Sequence, residues 1–513
     1  VAKLLFNDVT YPVRPGESAL DALVRGGAAV AFSCRRGSCQ TCLMRAVHGD
    51  PGPSARKNLR PELADSGHFM PCVCLPEHDL TLAPPDLSQL LTPAVVAALT
   101  RMDDRVLRIS LEPEVAIACK PGQYINLHRA DGLWRSYSVR GLVEEDYFIE
   151  IDVQLTPGGQ LSPWLHDQLA AGDVLHLQGP LGECHWREED RGRPLILIGT
   201  GTGVAPLHGI ARDALRHHHA GGIHLYYGAR RAADLYAHQE LSALAARGVR
   251  YRAVVLDGDP PPGHLSGDLI AAAIADHPDM TEAVVSLCGD PDLVQRARCE
   301  AILAGASRDR IRADPFDTSA QAAPRDQQII AGVSPDPELW DALGQRAGLR
   351  AILEGFYAEV YQDPRLSPFF HNVTRDRAID KQYEFLVDMF TGSRSYFGLK
   401  PFNAHHWMII SDALFDYREA MFERHLRAHL LPEPMIRRWA RLHELFRREI
   451  VKHKPRGLFV DGVEHLHEGF TEEVLGLDGM CDGCGAEIPQ GASARLHKRT
   501  GQLYCRGCDA LTG

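Results

Sequence analysis

No run in this 513-residue chain is both long and apolar enough to read as a bilayer span. The most hydrophobic stretch, PLILIGTGTGVAPLHGI at 194–210, is short and interrupted by glycines. The opening residues, VAKLLFNDVTYPV, alternate like a strand and lack the charged-then-apolar order of a secretion signal. The expectation is a soluble, cytoplasmic protein with no membrane partner. Basic charge is also scarce. With 55 Lys and Arg against 67 Asp and Glu, the net charge is −12, which argues against a broad nucleic-acid-binding surface. No internal repeat is visible. Cysteine is not rare, but it is not scattered either. Of 13 cysteines, nine fall in two groups: Cys34, Cys39, Cys42, Cys72 and Cys74, then Cys481, Cys484, Cys505 and Cys508. In a reducing compartment that clustering points to metal rather than disulfides.

The length suggests about three or four domains. Proline-rich or polar breaks near 83–93, 318–335 and 457–479 divide the chain. Before 318 the pattern is strand-rich or alternates strand with helix. From about 338 to 453 it is helical: Leu349, Ile352, Leu353, Phe356, Tyr357 and Val360 follow the i, i+3, i+4, i+7 spacing of an amphipathic helix. The last thirty-odd residues are Gly- and Cys-rich and have little with which to build a core.

Cys34-Arg-Arg-Gly-Ser-Cys39-Gln-Thr-Cys42 has C-x₄-C-x₂-C spacing, the loop half of a plant-type iron–sulfur ligand set. Small residues between the cysteines, Gly37 and Ser38, let backbone N–H groups approach the sulfides. A fourth thiolate must come from elsewhere, and Met70-Pro71-Cys72-Val73-Cys74 offers two. Residues 1–85, including the helical SALDALVRGG ahead of the loop, resemble a β-grasp [2Fe–2S] ferredoxin. That resemblance aligns Cys72 with the ligand and Cys74 with an inward position.

Arg135-Ser136-Tyr137-Ser138 resembles the R-x-Y-S signature of the ferredoxin-reductase family. The resemblance implies Arg135 on an FAD diphosphate, Tyr137 against the flavin ring and Ser138 near N5. The chemistry suits the types: a fork for phosphate, a flat ring for a flat ring, a small hydroxyl at the reacting atom. Gly159-Gln-Leu-Ser162-Pro-Trp-Leu resembles the family's second phosphate loop, and Gly179-Pro-Leu-Gly182 closes the segment. Residues 92–190 are therefore expected to form a β-barrel FAD domain.

An apolar strand from Pro194 then runs into Gly199-Thr200-Gly201-Thr202-Gly203, the strand–turn–helix arrangement that cradles a dinucleotide diphosphate. Cys288-Gly289-Asp290-Pro291 follows at the distance the family shows, which implies that Cys288 stands by the nicotinamide. Taken alone, Cys288 reads as a core cysteine. Residues 191–318 are expected to be an α/β nucleotide-binding domain. Arg230 and Arg231, after the strand HLYYGAR, can meet a 2′-phosphate, but NADH-using members also carry an Arg there; the reading is NADH, with NADPH left open. Asp314-Pro315-Phe316 resembles the family's tail, with Phe316 a candidate neighbour of the flavin. Together these segments resemble the one-chain reductases of bacterial oxygenase systems.

Three pieces of the helical segment are in register with a truncated haemoglobin: FYAEVYQDPRLSPFF from Phe356, KQYEF from Lys381 and AHHWMIISD from Ala404. The resemblance implies an all-α globin at 336–455 holding haem b. His405 falls on the proximal iron ligand, Phe370 on the ring against the haem, and Tyr357 and Gln382 on the distal positions. Ala378 falls where many larger globins carry a distal His. A phenol and an amide in an apolar pocket stabilise the charge of bound O₂. His406 competes with His405, because adjacent residues on a helix cannot both face one iron.

Cys481-x₂-Cys484 and Cys505-x₂-Cys508 have zinc-ribbon spacing, four thiolates closing a tetrahedron in a small domain at 479–511. A rubredoxin-like iron site is the alternative.

Hydride delivers two electrons, while a cluster and a haem each take one, and flavin converts between them. The chain therefore reads as an NAD(P)H-dependent oxidoreductase passing electrons through FAD and a [2Fe–2S] cluster to a globin haem. O₂ and NO are the expected ligands, and nitric oxide dioxygenation the expected chemistry. The alternatives are a globin that senses O₂ or NO beside a reductase serving a separate oxygenase, and a haem that reduces nitrite, peroxide or O₂. An external oxygenase or protein partner would dock on the ferredoxin or the ribbon.

Overall fold

The computed structural model describes residues 2–13, 17–28, 30, 40, 42–56, 59, 61–86, 90–131, 133–316, 324–370, 373–393, 396, 398–408, 410–452, 456–460, 463–465, 470–475, 478–481, 486–497 and 503–511. The chain divides into two compact units, Val1–Pro85 with Gln321–Gly513, and Asp86–Ala320. No helix among the described residues is long and apolar enough to cross a membrane.

In the first unit, the N-terminal segment is a five-stranded mixed sheet crossed by a helix. Strand Lys3–Phe6 pairs antiparallel with Val9–Pro12 and parallel with Leu80–Ala83. Met44–His48 and His68–Phe69 complete the sheet. Asn7 and Asp8 both take left-handed backbone (φ 50° and 64°), as a tight hairpin with the native strand twist requires. Helix Ala19–Arg25 starts at Ser18, whose Oγ accepts the Asp21 N–H at 3.1 Å. Its Leu20 and Leu23 are wholly buried.

The helical segment follows its periodicity. Helix Gln345–Val360 buries all six residues that carried the i, i+3, i+4 pattern. It packs with Arg375–Thr391 and Asp412–Ala428, and Asp412–Ala428 packs in turn with Glu433–Glu444. Asp336 and Ser411 cap helices by accepting the N–H groups of Leu339 and Leu414. Two stretches read as linkers are structured. A helix, Asp326–Gly332, precedes the globin-like segment, and strands Leu458–Val460, Val463–His465 and Phe470–Val474 follow it. Each is too short to show a period. The C-terminal segment adds Ser493–His497 and Leu503–Tyr504 to Phe470–Val474. Its small core consists of Cys481, Ile488, Ala494 and Cys508. Two of those four are cysteines, so apolar burial alone leaves this segment poorly held.

The second unit contains a barrel and a doubly wound sheet. Six antiparallel strands run in the order Ile149–Gln154, Val106–Pro113, Thr92–Arg101, Val174–Leu181, Tyr124–His128, Trp134–Ser138. A bridge between Val139 and Ile151, with the Arg140 N–H on Glu150 O at 2.9 Å, joins the outer strands and closes the barrel. The second sheet is parallel throughout, in the order Leu265–Ser266, Arg250–Val255, Ile223–Ala229, Leu195–Thr200, Val284–Gly289, Ile311–Pro315. Its central strand is buried on both faces, which explains the unbroken apolar run from Leu195 to Ile198.

A buried ionic network ties barrel to sheet. Arg108 donates to Asp152 at 2.8 Å and to Glu240 at 2.7 Å, and Arg140 donates to Glu240 at 3.0 Å. Tyr236 Oη–H donates to Asp152 at 3.0 Å. The Asp152 side chain is 1% exposed, and removing it leaves Arg108, Arg140 and the Tyr236 hydroxyl each short of one buried acceptor, while both guanidinium groups keep Glu240. Asp152→Ala is expected to destabilise this unit by about 1–3 kcal/mol, read as a lower midpoint in urea unfolding followed by circular dichroism.

Candidate functional site

In the ferredoxin-like segment, Cys34 and Cys39 lie outside the described residues. Cys42 is buried and Cys72 half-buried. Cys74 is fully enclosed, its Sγ–H donates to Pro51 O at 3.4 Å, and burial pushes its thiol up to about 12. A thiol so held stays protonated and is a poor ligand.

In the barrel, Tyr137 packs against the apolar core from the strand Trp134–Ser138, and burial raises its phenol pKa. Arg135 is exposed and spends one N–H on Trp134 O, at 2.7 Å. The loop 156–162 is closed by the Gly159 N–H on Thr156 O and by Ser162 Oγ accepting the Thr156 N–H, both at 3.0 Å. Ser138 Oγ–H donates to Asp314 at 2.6 Å, and burial lifts the Asp314 carboxyl to about 6. Sequence reasoning placed Asp314 only in the chain's reductase-like tail. Its role as the partner of Ser138 links residues 176 positions apart, which no local pattern reveals.

Asp314 makes this unit pH-sensitive with a definite sign. A carboxyl whose folded pKa is raised binds its proton more tightly in the folded state. The stability it contributes is full below about pH 4 and is lost as pH rises through about 6. Asp314→Asn is therefore expected to gain stability relative to wild type between pH 4 and pH 7, measured as the difference in urea midpoint across that range.

In the parallel sheet, the turn Gly199–Gly203 ends the central strand and starts helix Val204–Arg216. A Cβ on Gly203 would fall 2.4 Å from Cys288 O, so only glycine lets turn and neighbouring strand meet. The turn opens on a cavity of about 440 Å³ lined by Thr200, Gly201, Thr202, Gly228, Arg230 and Asp290 among others. Cys288 is fully buried at the end of strand Val284–Gly289, its Sγ 3.8 Å from that of Cys184. Burial holds its thiol protonated, which excludes an acid or base, and the residue is not among those lining the cavity. Arg230 is paired with Asp257 at 2.8 Å and Arg231 with Asp234 at 3.6 Å. Phe316 N–H donates to Gly289 O at 2.8 Å.

In the helical segment, Tyr357 Oη–H donates to Gln382 Oε1 at 2.6 Å, and the Phe370 ring stands edge-on to Tyr357 at 5.7 Å. Three of the predicted haem-pocket residues, from three separate elements, thus meet. Burial pushes the Tyr357 phenol up to about 12, so it remains a donor. Ala378 is buried. His405 and His406 do not lie within a helix, as the sequence argument supposed, but in the turn after the four-residue helix Pro401–Ala404. A proline at the helix start and the short spacing to Ser411 leave room for one turn only. His405 Nδ1 is 2.8 Å from Pro401 O, and His406 Nδ1 is 2.7 Å from Asn403 O. The His405 ring therefore keeps Nε2 as an acceptor, the state a metal-ligating imidazole needs. Burial lowers the His405 pKa to about 3, so its ring is neutral.

Residues outside the globin-like helices hold this turn. Asp326 accepts the Phe402 N–H at 2.9 Å. Lys452 Nζ donates to His405 O at 2.5 Å, and the Arg456 N–H donates to His406 O at 2.9 Å. Asn403 both donates to Phe459 O, at 2.8 Å, and accepts the Phe459 N–H, at 2.9 Å.

At the C-terminus the sulfurs of Cys481, Cys505 and Cys508 all lie within 4.8 Å of one another; Cys484 is outside the described residues. Cys481 and Cys508 are 3.7 Å apart, close to the ~3.8 Å edge of a tetrahedron with zinc–sulfur bonds of ~2.3 Å. The Cys505 N–H donates to Cys481 Sγ at 3.3 Å, a bond that suits a thiolate.

Four family models match the chain. Residues 6–77 match the 2Fe-2S iron-sulfur cluster binding domain, 96–186 the oxidoreductase FAD-binding domain, 197–299 the oxidoreductase NAD-binding domain, and 338–445 the bacterial-like globin. The reductase subunit of the aromatic O-demethylase of Amycolatopsis sp. is 37% identical over 297 residues, 55% of this chain and 88% of the relative. Reductase component 1 of the terephthalate 1,2-dioxygenase of Comamonas sp. is 31% identical over 324 residues, 61% and 96% of the two chains. The crystal structure of an Amycolatopsis cytochrome P450 reductase aligns at 31% identity over 62% of this chain and 100% of its own, with a TM-score of 0.45. These matches carry the cofactors with them: a [2Fe–2S] cluster, FAD, NAD(P)H and a globin haem. The chain belongs to the family of NAD(P)H-dependent flavin reductases with a [2Fe–2S] ferredoxin domain, joined here to a bacterial-like globin.

Proposed function

We propose that this chain passes electrons from NADH through FAD and its [2Fe–2S] cluster to the haem of its own globin domain, and that the globin converts NO and O₂ to nitrate. The observation that carries the reading is the Tyr357–Gln382 pair at 2.6 Å, a donor set for a charged oxygen ligand, in the same chain as a complete reductase. Haem, when bound, would supply the iron centre for this chemistry. NO, O₂ and one electron balance to nitrate, so each NADH supports two turnovers.

The chain's own residues divide the work. Cys34, Cys39, Cys42 and Cys72 hold the cluster. The enclosed, protonated Cys74 supports Cys72 as the fourth ligand. Arg135, Gly159 and Ser162 face the flavin diphosphate, while Tyr137 and Ser138 orient its ring. Gly199, Thr200, Gly201 and Gly203 admit the NADH diphosphate, and Cys288, by the family resemblance, stands by the nicotinamide. The carboxylates already paired with Arg230 and Arg231 favour NADH over NADPH. His405 would hold the haem, with Phe370 packed against it, and Tyr357 and Gln382 would orient a bound ligand. Cys481, Cys484, Cys505 and Cys508 hold a structural zinc, with all four positions closed by sulfur.

The test is stopped-flow mixing of the NADH-reduced, oxygenated protein with NO, read by haem absorbance and nitrate yield. The expected result is stoichiometric nitrate and renewed oxygenation at the expense of NADH. NO consumption no faster than that of free haem sinks the dioxygenase. If reduced cluster also fails to reduce the haem, the reductase serves an external oxygenase, as the relatives' names describe for those proteins.

A further inference from the structure

The cavity at the Gly199–Gly203 turn is walled partly by the flavin barrel, and one barrel residue there is a cation with nothing to hold. Three guanidinium groups line the cavity: Arg105, Arg230 and Arg296. Two are neutralised in place, Arg230 by Asp257 at 2.8 Å and Arg296 by Asp268 at 2.7 Å. Among the described residues, the Arg105 side chain makes no hydrogen bond and no ion pair. It is exposed.

The Arg105 backbone, by contrast, is held on both sides. The residue lies in the connection between strands Thr92–Arg101 and Val106–Pro113. Asp103 Oδ1 accepts the N–H groups of Arg105 and Val106, both at 2.7 Å, so this oxygen serves the backbone and not the guanidinium. The Arg105 carbonyl accepts the Leu155 N–H at 2.7 Å. Those ties set the residue beside the glycine turn. Val106 is the register partner of Gln154, and Gln154 Oε1 lies 3.3 Å from the point where a Cβ on Gly201 would stand. Val106, Gln154 and Gly201 line the cavity with Arg105. A fixed backbone lowers the ordering cost of binding, and a guanidinium with both ends of its fork free matches phosphate oxygens.

We propose that Arg105 binds the diphosphate of the nicotinamide dinucleotide, so that the anion is held between the N–H groups of the Gly199–Gly203 turn and a charge supplied by the flavin barrel. This rests on the reductase assignment and not on the globin or on NO chemistry. It is independent of the choice between NADH and NADPH, which share the diphosphate. The dinucleotide site then belongs to two domains, and the barrel takes part in binding the donor as well as the flavin.

The experiment is anaerobic stopped-flow reduction of the flavin in the full chain by NADH and by NADPH, giving for each a half-saturating concentration and a limiting rate. Arg105→Gln is expected to raise the half-saturating concentration about 10-fold for both dinucleotides, the low end for a hydrogen bond to a charged group, with the limiting rate within about 2-fold. Arg105→Lys is expected to stay within about 3-fold of the wild type, because a point charge still meets phosphate. Attraction between exposed charges is screened by salt, so raising the ionic strength is expected to weaken the wild type more than Arg105→Gln. A half-saturating concentration unchanged in Arg105→Gln overturns the proposal. So does a loss confined to NADPH, which assigns Arg105 to the 2′-phosphate, and so does a fall in limiting rate alone, which makes Arg105 a support of the barrel. A wild-type chain whose flavin neither dinucleotide reduces overturns the reductase assignment itself, and shows it before any variant is compared.

Discussion

His405→Ala is expected to abolish the five-coordinate, histidine-ligated ferrous spectrum proposed for the globin domain, and His406→Ala to keep it. The two histidines are adjacent and held alike at one nitrogen, since each has Nδ1 within hydrogen-bond distance of a backbone carbonyl. They differ in register: the resemblance to truncated haemoglobins sets His405, and not His406, at the proximal position. Loss of the ligand leaves haem held by apolar contacts with Phe370 and its neighbours, so the variant is expected to lose haem on gel filtration and to regain a ligated spectrum with added imidazole. If His406→Ala gives that behaviour instead, the register of the proximal turn is shifted by one.

Cys72→Ser removes the cluster, whereas Cys74→Ser retains it. An iron–sulfur cluster needs thiolates, and serine neither matches sulfur's softness nor ionises as readily. The expected Cys72→Ser protein lacks the visible absorbance and reduced-state EPR signal of the cluster. NADH still reduces its flavin, and still reduces ferricyanide through it, but electrons no longer reach the haem. Cys74→Ser changes only a buried thiol bonded to Pro51 O and costs at most folding stability. The pair of variants also tests the order of the wire. Haem reduction that survives without the cluster means the flavin reduces the haem directly.

Chemistry concentrated in adjacent residues was legible from sequence; chemistry assembled across the chain was not. The cysteine spacings and the Gly199–Gly203 turn are local, and the helical period of Leu349 to Val360 records which face is buried. Asp152 shows the opposite. In the strand Ile149–Gln154 it lies on the polar phase of the alternation and reads as outward, yet it is 8% exposed because another domain's Glu240 and Tyr236 cover it. Ser138 and Asp314 are a second case of distant partnership. Arg418, three residues after Phe415 and four before Phe422, puts a charge on the apolar face of its helix, where the buried Glu419 partners it. The proximal turn was misread as helix because the haemoglobin resemblance supplied residues but not the length of the element that carries them.

The ties from Asp326, Lys452, Arg456 and Phe459 to the turn 402–406 bear on where this globin begins and ends. The matched stretch, 338–445, excludes all four. A globin cut to that stretch would keep its packed helices but lose the scaffold that fixes the iron-binding loop. The piece that can be transplanted or swapped whole runs from about 325 to 460. The joints to the reductase and to the C-terminal cysteines are thus not neutral tethers; by gripping the loop, they are parts of the globin-like domain.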